Sequence, residues 1–524
     1  MKLRILRIVL ALVSFTLLTF FFLDFAGLFP QQYFTLAAIQ FIPALLAGSF
    51  LIVGILVALT LIFGRVYCSM ICPLGIYMDV VTWIRKRFKP RMKQTYSKEK
   101  RWLRLGVLAG VIVSYVAGLT VVLSLLDPYS AFGRMVTHLF RPVYMAGNNV
   151  LAELFSHFGN YTFYHTDIFV HSLASLLIAV ATLGVVSFLA ARHGRTWCNT
   201  LCPVGTVLGY LSALSLFKMR INESTCISCG KCAKACKASC IDSKNSQIDA
   251  TRCVACFDCI DACNEHSITY TLKRKANPAT PSGESTERKM ASVEAEAKGE
   301  TIDESKRQFM GALAVTALAA PSTLLAQAIS IPTGRVPFKR AYPISPPGSI
   351  SAEHLLDHCT ACHLCVAKCP SQVLKPALLQ YGVGGLMMPV MNFDHGFCNF
   401  DCTLCTDVCP TDALKPLPKE AKHKTQMGRV VFILHNCVVY TDETSCGACS
   451  EHCPTQAVKM VPFKDALTIP SVDPAICVGC GGCEYVCPAV PYKAIHVEGN
   501  PVQLEAQAFV DEVKKDVQLE GFGF

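Results

Sequence analysis

Four stretches of the chain are apolar for about 20 residues, the length a helix needs to cross a bilayer. They cover residues 5–25, 41–63, 105–126 and 168–190. The first is too long for a cleavable signal, and no small-residue cleavage site follows it. The polar positions between the stretches set a direction. Residues 85–104 carry ten Lys/Arg against the single acid Glu99, and the amino terminus carries Lys2, Arg4 and Arg7. The loop 127–167 holds only Arg134 and Arg141 against Asp127, Glu153 and Asp167. Basic residues accumulate on the cytoplasmic side, so both ends of this four-helix unit are expected there.

After the fourth span the apolar runs shorten and cysteine interrupts them. The pattern predicts a four-helix membrane domain over 1–217 and a two-cluster ferredoxin domain over 218–270. Residues 271–304 are rich in Pro, Ser, Glu, Lys and Ala without apolar periodicity, and are expected to be a disordered linker. Residues 305–331 open with Ser305-Lys306-Arg307-Gln308-Phe309-Met310 and continue apolar, as a signal-like segment or fifth span. Residues 332–524 form the last domain. The fold class is thus an α-helical membrane domain with four transmembrane helices, joined to small α+β ferredoxin-like domains.

Composition agrees. The 524 residues are 52% hydrophobic and only 16% charged, where a soluble chain carries about 25% charge. That excludes disorder, collagen and a small disulfide scaffold. The net charge of +10 sits in the loops that set topology, which argues against nucleic acid as a partner.

The 29 cysteines carry the chemistry. Two runs have the spacing C-x2-C-x2-C-x3-C in the first block: Cys226, Cys229, Cys232, Cys236 and Cys253, Cys256, Cys259, Cys263. In the second block Cys359, Cys362, Cys365, Cys369 and Cys477, Cys480, Cys483, Cys487 repeat it, each followed by Pro. Between them lie two looser runs, Cys398, Cys402, Cys405, Cys409 and Cys437, Cys446, Cys449, Cys453. Three closely spaced thiolates wrap one corner of a 4Fe–4S cube while the fourth reaches a neighbouring cube. Zinc prefers paired knuckles, and disulfides seldom repeat one spacing six times. The spacing therefore predicts six clusters.

Four further cysteines form a second repeat. Arg65-Val66-Tyr67-Cys68-Ser69-Met70-Ile71-Cys72-Pro73-Leu74-Gly75 is echoed by Arg195-Thr196-Trp197-Cys198-Asn199-Thr200-Leu201-Cys202-Pro203-Val204-Gly205. Each copy follows an even-numbered span. Tandem repeats of this kind are often related by an axis along the membrane normal, which would bring Cys68, Cys72, Cys198 and Cys202 together as a metal, cluster or redox site. The alternative is a structural turn. The remaining Cys240 is a packed thiol, a substitute for Cys236, or a neighbour of a cluster.

Residues 1 to about 270 resemble the NapH family of ferredoxin-type membrane proteins, on the four spans, the two C-x3-C-P elements and the two ferredoxin runs. The part from about 305 resembles the NapG family of four-cluster polyferredoxins, on the irregular middle runs and the signal-like segment. There the family's twin arginine is replaced by Lys306-Arg307. The resemblance implies electrons taken from the quinone pool and passed through clusters to a terminal reductase, with possible quinol dehydrogenase activity. It places the chain in the inner membrane among lipid, the first ferredoxin domain in the cytoplasm and the last one exported to the periplasm. It also implies that in the second block outer runs pair and inner runs pair: Cys487 with the first run, Cys369 with the last, Cys453 and Cys409 across the middle two. Candidate quinol ligands on the outer side are His138, His157, His165 and His171, near Arg134, Arg141, Tyr161 and Tyr164. A competing class is a maturation factor for a metalloenzyme using the C-x3-C-P thiols. A self-contained enzyme finds no support, since no dinucleotide fingerprint, P-loop or nucleophile elbow is present.

Overall fold

The fold is that of a computed structural model describing residues 2–25, 27, 35–88, 96–168, 172–272 and 336–507. One unit combines Met1–Lys273 with Phe338–Phe524; the other, Arg274–Pro337, lies outside the described residues except for its last two. The expected linker beyond Leu272, the 305–331 segment with Lys306-Arg307, and His171 likewise lie outside them.

Two of the expected spans are single helices long and apolar enough to cross a membrane: α1 (Lys2–Leu23) and α11 (Leu173–His193). The other two are broken. A short helix α2 (Thr35–Ala38) leads into α3 (Phe41–Leu46), and the chain turns at Gly48, which has positive φ, before α4 (Phe50–Phe63). Likewise α7 (Arg101–Val116) ends at Gly118, again at positive φ, before α8 (Val121–Leu126). Glycine takes the left-handed conformation without a Cβ penalty and so ends a helix inside an apolar run. The expected loop 127–167 is also largely helical. Asp127 caps α9 (Pro128–Met135), accepting from Ser130 N at 2.9 Å, and Pro128 occupies the first turn. A π-helical turn, Val136–Phe140, then joins α9 to α10 (Arg141–Ser156).

The repeat predicted from the cysteines is visible as structure. In the first copy α4 leads to α5 (Val66–Met70), Cys72 and α6 (Pro73–Phe88); in the second α11 leads to α12 (Thr196–Thr200), Cys202 and α13 (Pro203–Ser212). The copies pack on each other through Tyr77 and Ser187, 2.7 Å apart between hydroxyls, and through Thr82 donating to Ala190 O at 3.2 Å.

The first ferredoxin module is a hairpin of β1 (Phe217–Ile221) with β4 (Ile268–Leu272), enclosing α14 (Lys231–Ala235), a small hairpin of β2 (Ile241–Asp242) with β3 (Gln247–Ile248), and α15 (Asp258–Ala262). The strand β4 thus runs two residues past the expected linker boundary. The second module has three two-stranded antiparallel sheets. These are β5 (Leu374–Pro376) with β6 (Pro389–Met391), β7 (Thr425–Phe432) with β10 (Ile495–Glu505), and β8 (Val458–Pro462) with β9 (Thr468–Val472). Short elements suit chains that fold around clusters more than around an apolar core.

Helix α1 touches both modules, one at each end. Arg4 meets Asp258 at 3.0 Å and Asp261 at 2.9 Å in the first module. Just past its other end, Asp24 accepts from Lys368 Nζ of the second at 2.6 Å. Twenty residues from Arg4 to Asp24, at 1.5 Å each, separate these contacts by about 30 Å along the helix axis.

Candidate iron–sulfur and thiol sites

Each regular cysteine run is shaped by two residues in the left-handed region, flanking its second cysteine. They are Ser228 and Gly230, Ala255 and Phe257, Ala361 and His363, Gly479 and Gly481. This curl turns backbone N–H groups inward. Ala361 N lies 3.4 Å from Cys359 Sγ and Gly479 N 3.3 Å from Cys477 Sγ. Backbone donors to a thiolate stabilise its charge.

The cysteines gather in six cages of four. Cys226, Cys229, Cys232 and Cys263 line one cavity, and the charges of Cys253, Cys256 and Cys236 bear on Cys259 in the next. This is the exchange of fourth ligands expected for the first module. In the second module, Cys409 joins Cys359, Cys362 and Cys365, and Cys369 joins Cys398, Cys402 and Cys405 around a cavity. Cys487 joins Cys437, Cys446 and Cys449, and Cys453 joins Cys477, Cys480 and Cys483. The pairing of outer with outer and inner with inner runs is therefore corrected: consecutive runs exchange their last cysteine. The reason is that each consecutive pair closes its own small core, one around Leu355, Val366 and Met391, the other around Val439, Val458 and Ile495.

The cages fit 4Fe–4S clusters by their donor chemistry. Burial pushes the thiols of Cys256, Cys362, Cys398 and Cys480 up to about 12. As free thiols they would stay protonated at neutral pH, whereas a bound cation deprotonates a coordinating thiol outright. Runs of four cysteines that lend their last ligand to a neighbouring cage suit 4Fe–4S cubes, whereas zinc takes paired knuckles. Cys240 is buried with its sulfur 3.5 Å from that of Cys236 and in contact with Cys253. It is thus a neighbour of the second cage, and its thiol lowers that of Cys236 by hydrogen bonding.

Cys68, Cys72, Cys198 and Cys202 are each 4–5% exposed, and none is in a disulfide. They come together as the repeat predicts: the charges of Cys68 and Cys198 bear on Cys72, and those of Cys198, Cys72 and Cys68 on Cys202. Burial, then these neighbours, pushes the Cys72 and Cys202 thiols well up.

The arginine three residues before each copy's first cysteine crosses to the other copy. Arg65 donates to Cys198 O at 3.3 Å and to Asn199 Oδ1 at 2.8 Å, while Arg195 donates to Cys68 O. Gly75 and Gly205 make this close approach possible, since a methyl group on either would overlap the carbonyl of its own copy's first cysteine and crowd the incoming guanidinium. Symmetry breaks about one turn later, four residues beyond these glycines. Asp79 binds Arg7 and Arg195, each at 2.9 Å, and Lys237 of the second cage's loop at 3.4 Å. Burial alone would raise its carboxyl, but Arg195, Lys237 and Arg7 hold it well below the usual carboxylate range. The matching position in the second copy is Gly209, where an added Cβ would meet the buried Arg104 guanidinium at 2.5 Å. Sequence reasoning missed Asp79, Arg65 and Arg195 as site residues. The available signal was arginine at the same place in both copies.

The outer-side candidates separate. His138, Arg134 and Arg141 are buried, but His157, His165, Tyr161 and Tyr164 are exposed. Among the described histidines the crowding expected of a loop does not form: His138 sits in the buried π-helical turn, whereas His157 and His165 lie in the exposed stretch after α10. His138 Nε2 lies 2.7 Å from Nδ1 of His363, the residue following Cys362, and His363 Nε2 lies 2.8 Å from Met387 O. Arg134 donates to Ala361 O at 3.2 Å, and an added Cβ on Gly133 would sit 2.5 Å from Cys362 O. The third cage is thus seated against α9.

Fold and cages together define a ferredoxin-type iron–sulfur protein, and the chain belongs to that family. Its models match as a 4Fe-4S binding domain over residues 45–91 and 173–222, and as 4Fe-4S dicluster domains over 358–414 and 444–490. Among relatives, the ferredoxin-type protein NapF of Escherichia coli (strain K12) is 30% identical over 157 residues, covering 30% of this chain and 87% of NapF. The putative electron transport protein YccM of the same strain is 29% identical over 260 residues, 48% of this chain. The ferredoxin-type protein NapH of Haemophilus influenzae is 27% identical over 175 residues, 33% of this chain. The chain spans 64% of the length of YccM and 47% of that of NapH. No solved structure matches the chain.

Proposed function

We propose that the chain is a four-span inner-membrane protein, a NapH-like part fused to a NapG-like part, that takes electrons from quinol and passes them through six 4Fe–4S clusters to a partner reductase. The ligands are the 24 cysteines of the six cages. The observation that carries this reading is one continuous buried core. It runs from Cys236, Cys256 and Cys259 of the second cage, through Cys68, Cys72, Cys198 and Cys202, to Cys362 of the third. Between the thiol site and the third cage, Tyr67 and Tyr129 both lie within electrostatic reach of Asp127. The four thiols therefore stand where a relay between the two modules would need a station, and the family model described as 4Fe-4S binding falls on their two repeats.

The clusters, when bound, supply one-electron relay. The protein's own residues hold the stations in register and keep water out. In the second module the route runs from the third cage to the fourth and then to the sixth, since Cys398 N donates to Cys480 O at 2.9 Å. It ends at the fifth, which shares a core with the sixth. Large apolar side chains exposed on the helices, such as Leu51, Val116 and Phe188, are those lipid would cover. With the basic amino terminus of α1 inside, its contact with Lys368 supports export of the second module. The buried His138, Arg134 and Arg141 support quinol oxidation near the third cage. The alternative role, metal delivery or thiol exchange in enzyme maturation, requires accessible thiols, and burial of all four disfavours it.

The test compares Cys72→Ser with the parent in anaerobic membranes. Quinol should reduce the clusters of one module only, while dithionite reduces both. Quinol reduction of both modules at the parent rate would refute the thiol site as a station.

A further inference from the structure

The hydroxyl of Tyr129 is buried in a residue only 1% exposed, and it has no hydrogen-bond partner among the described residues. Buried hydroxyls almost always find one. The side chain is not free to swing toward water. Asp127 caps the helix that carries it, and its ring packs on Phe22 with centroids 5.8 Å apart. The groups with the largest electrostatic effect on the hydroxyl are Cys362, Asp127, Cys409 and Cys365. Asp127 Oδ2 accepts from both the backbone N and the hydroxyl of Ser130, at 2.9 and 2.6 Å, and the Tyr129 hydroxyl makes no hydrogen bond to this carboxylate. The other three are thiols of the third cage. That cage is also the one against which α9 is pressed, through Gly133 at Cys362 O and Arg134 at Ala361 O.

We propose that Tyr129, a residue of the membrane part, donates its hydroxyl to a sulfur at the third cage and so raises the reduction potential of the cluster held there. A donor aimed at cluster sulfur stabilises the reduced, more negative state, and such hydrogen bonds are among the protein's means of setting a cluster's potential. The seam between the two parts of the chain then has a chemical consequence: the cluster that meets the membrane part is tuned by it, and loses that tuning when the module is separated. The inference rests on the relay reading only for the presence of a cluster in this cage.

The experiment is an anaerobic redox titration of the full-length protein in detergent, followed by electron paramagnetic resonance, on the parent, on Tyr129→Phe and on protein with 3-fluorotyrosine at position 129. In Tyr129→Phe one cluster should become harder to reduce by about tenfold in its equilibrium constant, about 59 mV for one electron, with the iron content and the other potentials unchanged. The fluorinated ring is a stronger donor and should move the same cluster the opposite way. If Tyr129→Phe fails to retain its iron, the fluorinated protein decides alone. Potentials that stay put in every variant holding its full iron would overturn the proposal. A parent protein lacking iron would instead remove the relay reading.

Discussion

Replacing Asp79 by Asn is the sharpest probe of how the repeat is tied to the first ferredoxin module. The change keeps the size and removes the charge, leaving Arg7, Arg195 and Lys237 around an uncharged group. Arg195 is fully buried, so water cannot take over. Removing one partner of a buried ion pair costs about 3–5 kcal/mol; because the amide oxygen still accepts a hydrogen bond, we expect the lower end, about 3 kcal/mol, or roughly a hundredfold in a local opening equilibrium. The loss should appear at the second cage. Lys237 follows Cys236, and Arg195 N donates to Lys237 O at 2.9 Å. The assay is the rate at which a ferrous chelator strips iron from the anaerobic protein. About four iron atoms, one cube's worth, should leave roughly a hundredfold faster, with the remainder unchanged. The sign with pH follows from a carboxyl held low in the folded state. Its stabilisation is complete above the ordinary carboxylate value of about 3.9 and is lost only as pH falls toward the depressed value. The difference between variant and parent should therefore be flat from neutral pH to about pH 5. Release within about threefold of the parent, well under 1 kcal/mol, would refute the hub. Glu443→Gln, which breaks an exposed pair with Lys464, should leave every rate unchanged.

Anaerobically purified protein should hold about 24 iron atoms per chain, four for each of six cubes; iron for fewer than about five cubes would contradict the count. Gly205→Ala forces a methyl group onto Cys198 O and should cost about 1–3 kcal/mol, read as a lowered unfolding temperature in detergent. Gly54→Ala, with nothing within 4 Å of the new methyl, should not lower it. A reporter active only outside the cytoplasm should light up when fused after Phe524 and stay dark after Tyr270; darkness at both would put the whole relay inside.

What could be read from the sequence was local. A cysteine run curls through contacts a few residues apart, so spacing alone singled out the cysteines that the fold gathers into cages, and the repeated R-x2-C-x3-C-P-x-G singled out the four thiols that meet between the two copies. The membrane helices were half legible. Hydropathy averages over a window and does not register the turns at Gly48 and Gly118 that interrupt α3–α4 and α7–α8. Contacts between distant parts of the chain were not legible at all. Which run lends its fourth cysteine depends on which small core that cysteine packs into, as with Cys409 and Cys487. Asp79, in sequence a lone acid near a basic stretch, became a hub only when α1, the second repeat and the loop after Cys236 met at its carboxyl. Nothing in the sequence around Tyr129 singles it out. The packing of α9 against Cys362 seals its hydroxyl beside three thiols, because burial is a property of the assembled surfaces and has no signature in the residues taken one at a time.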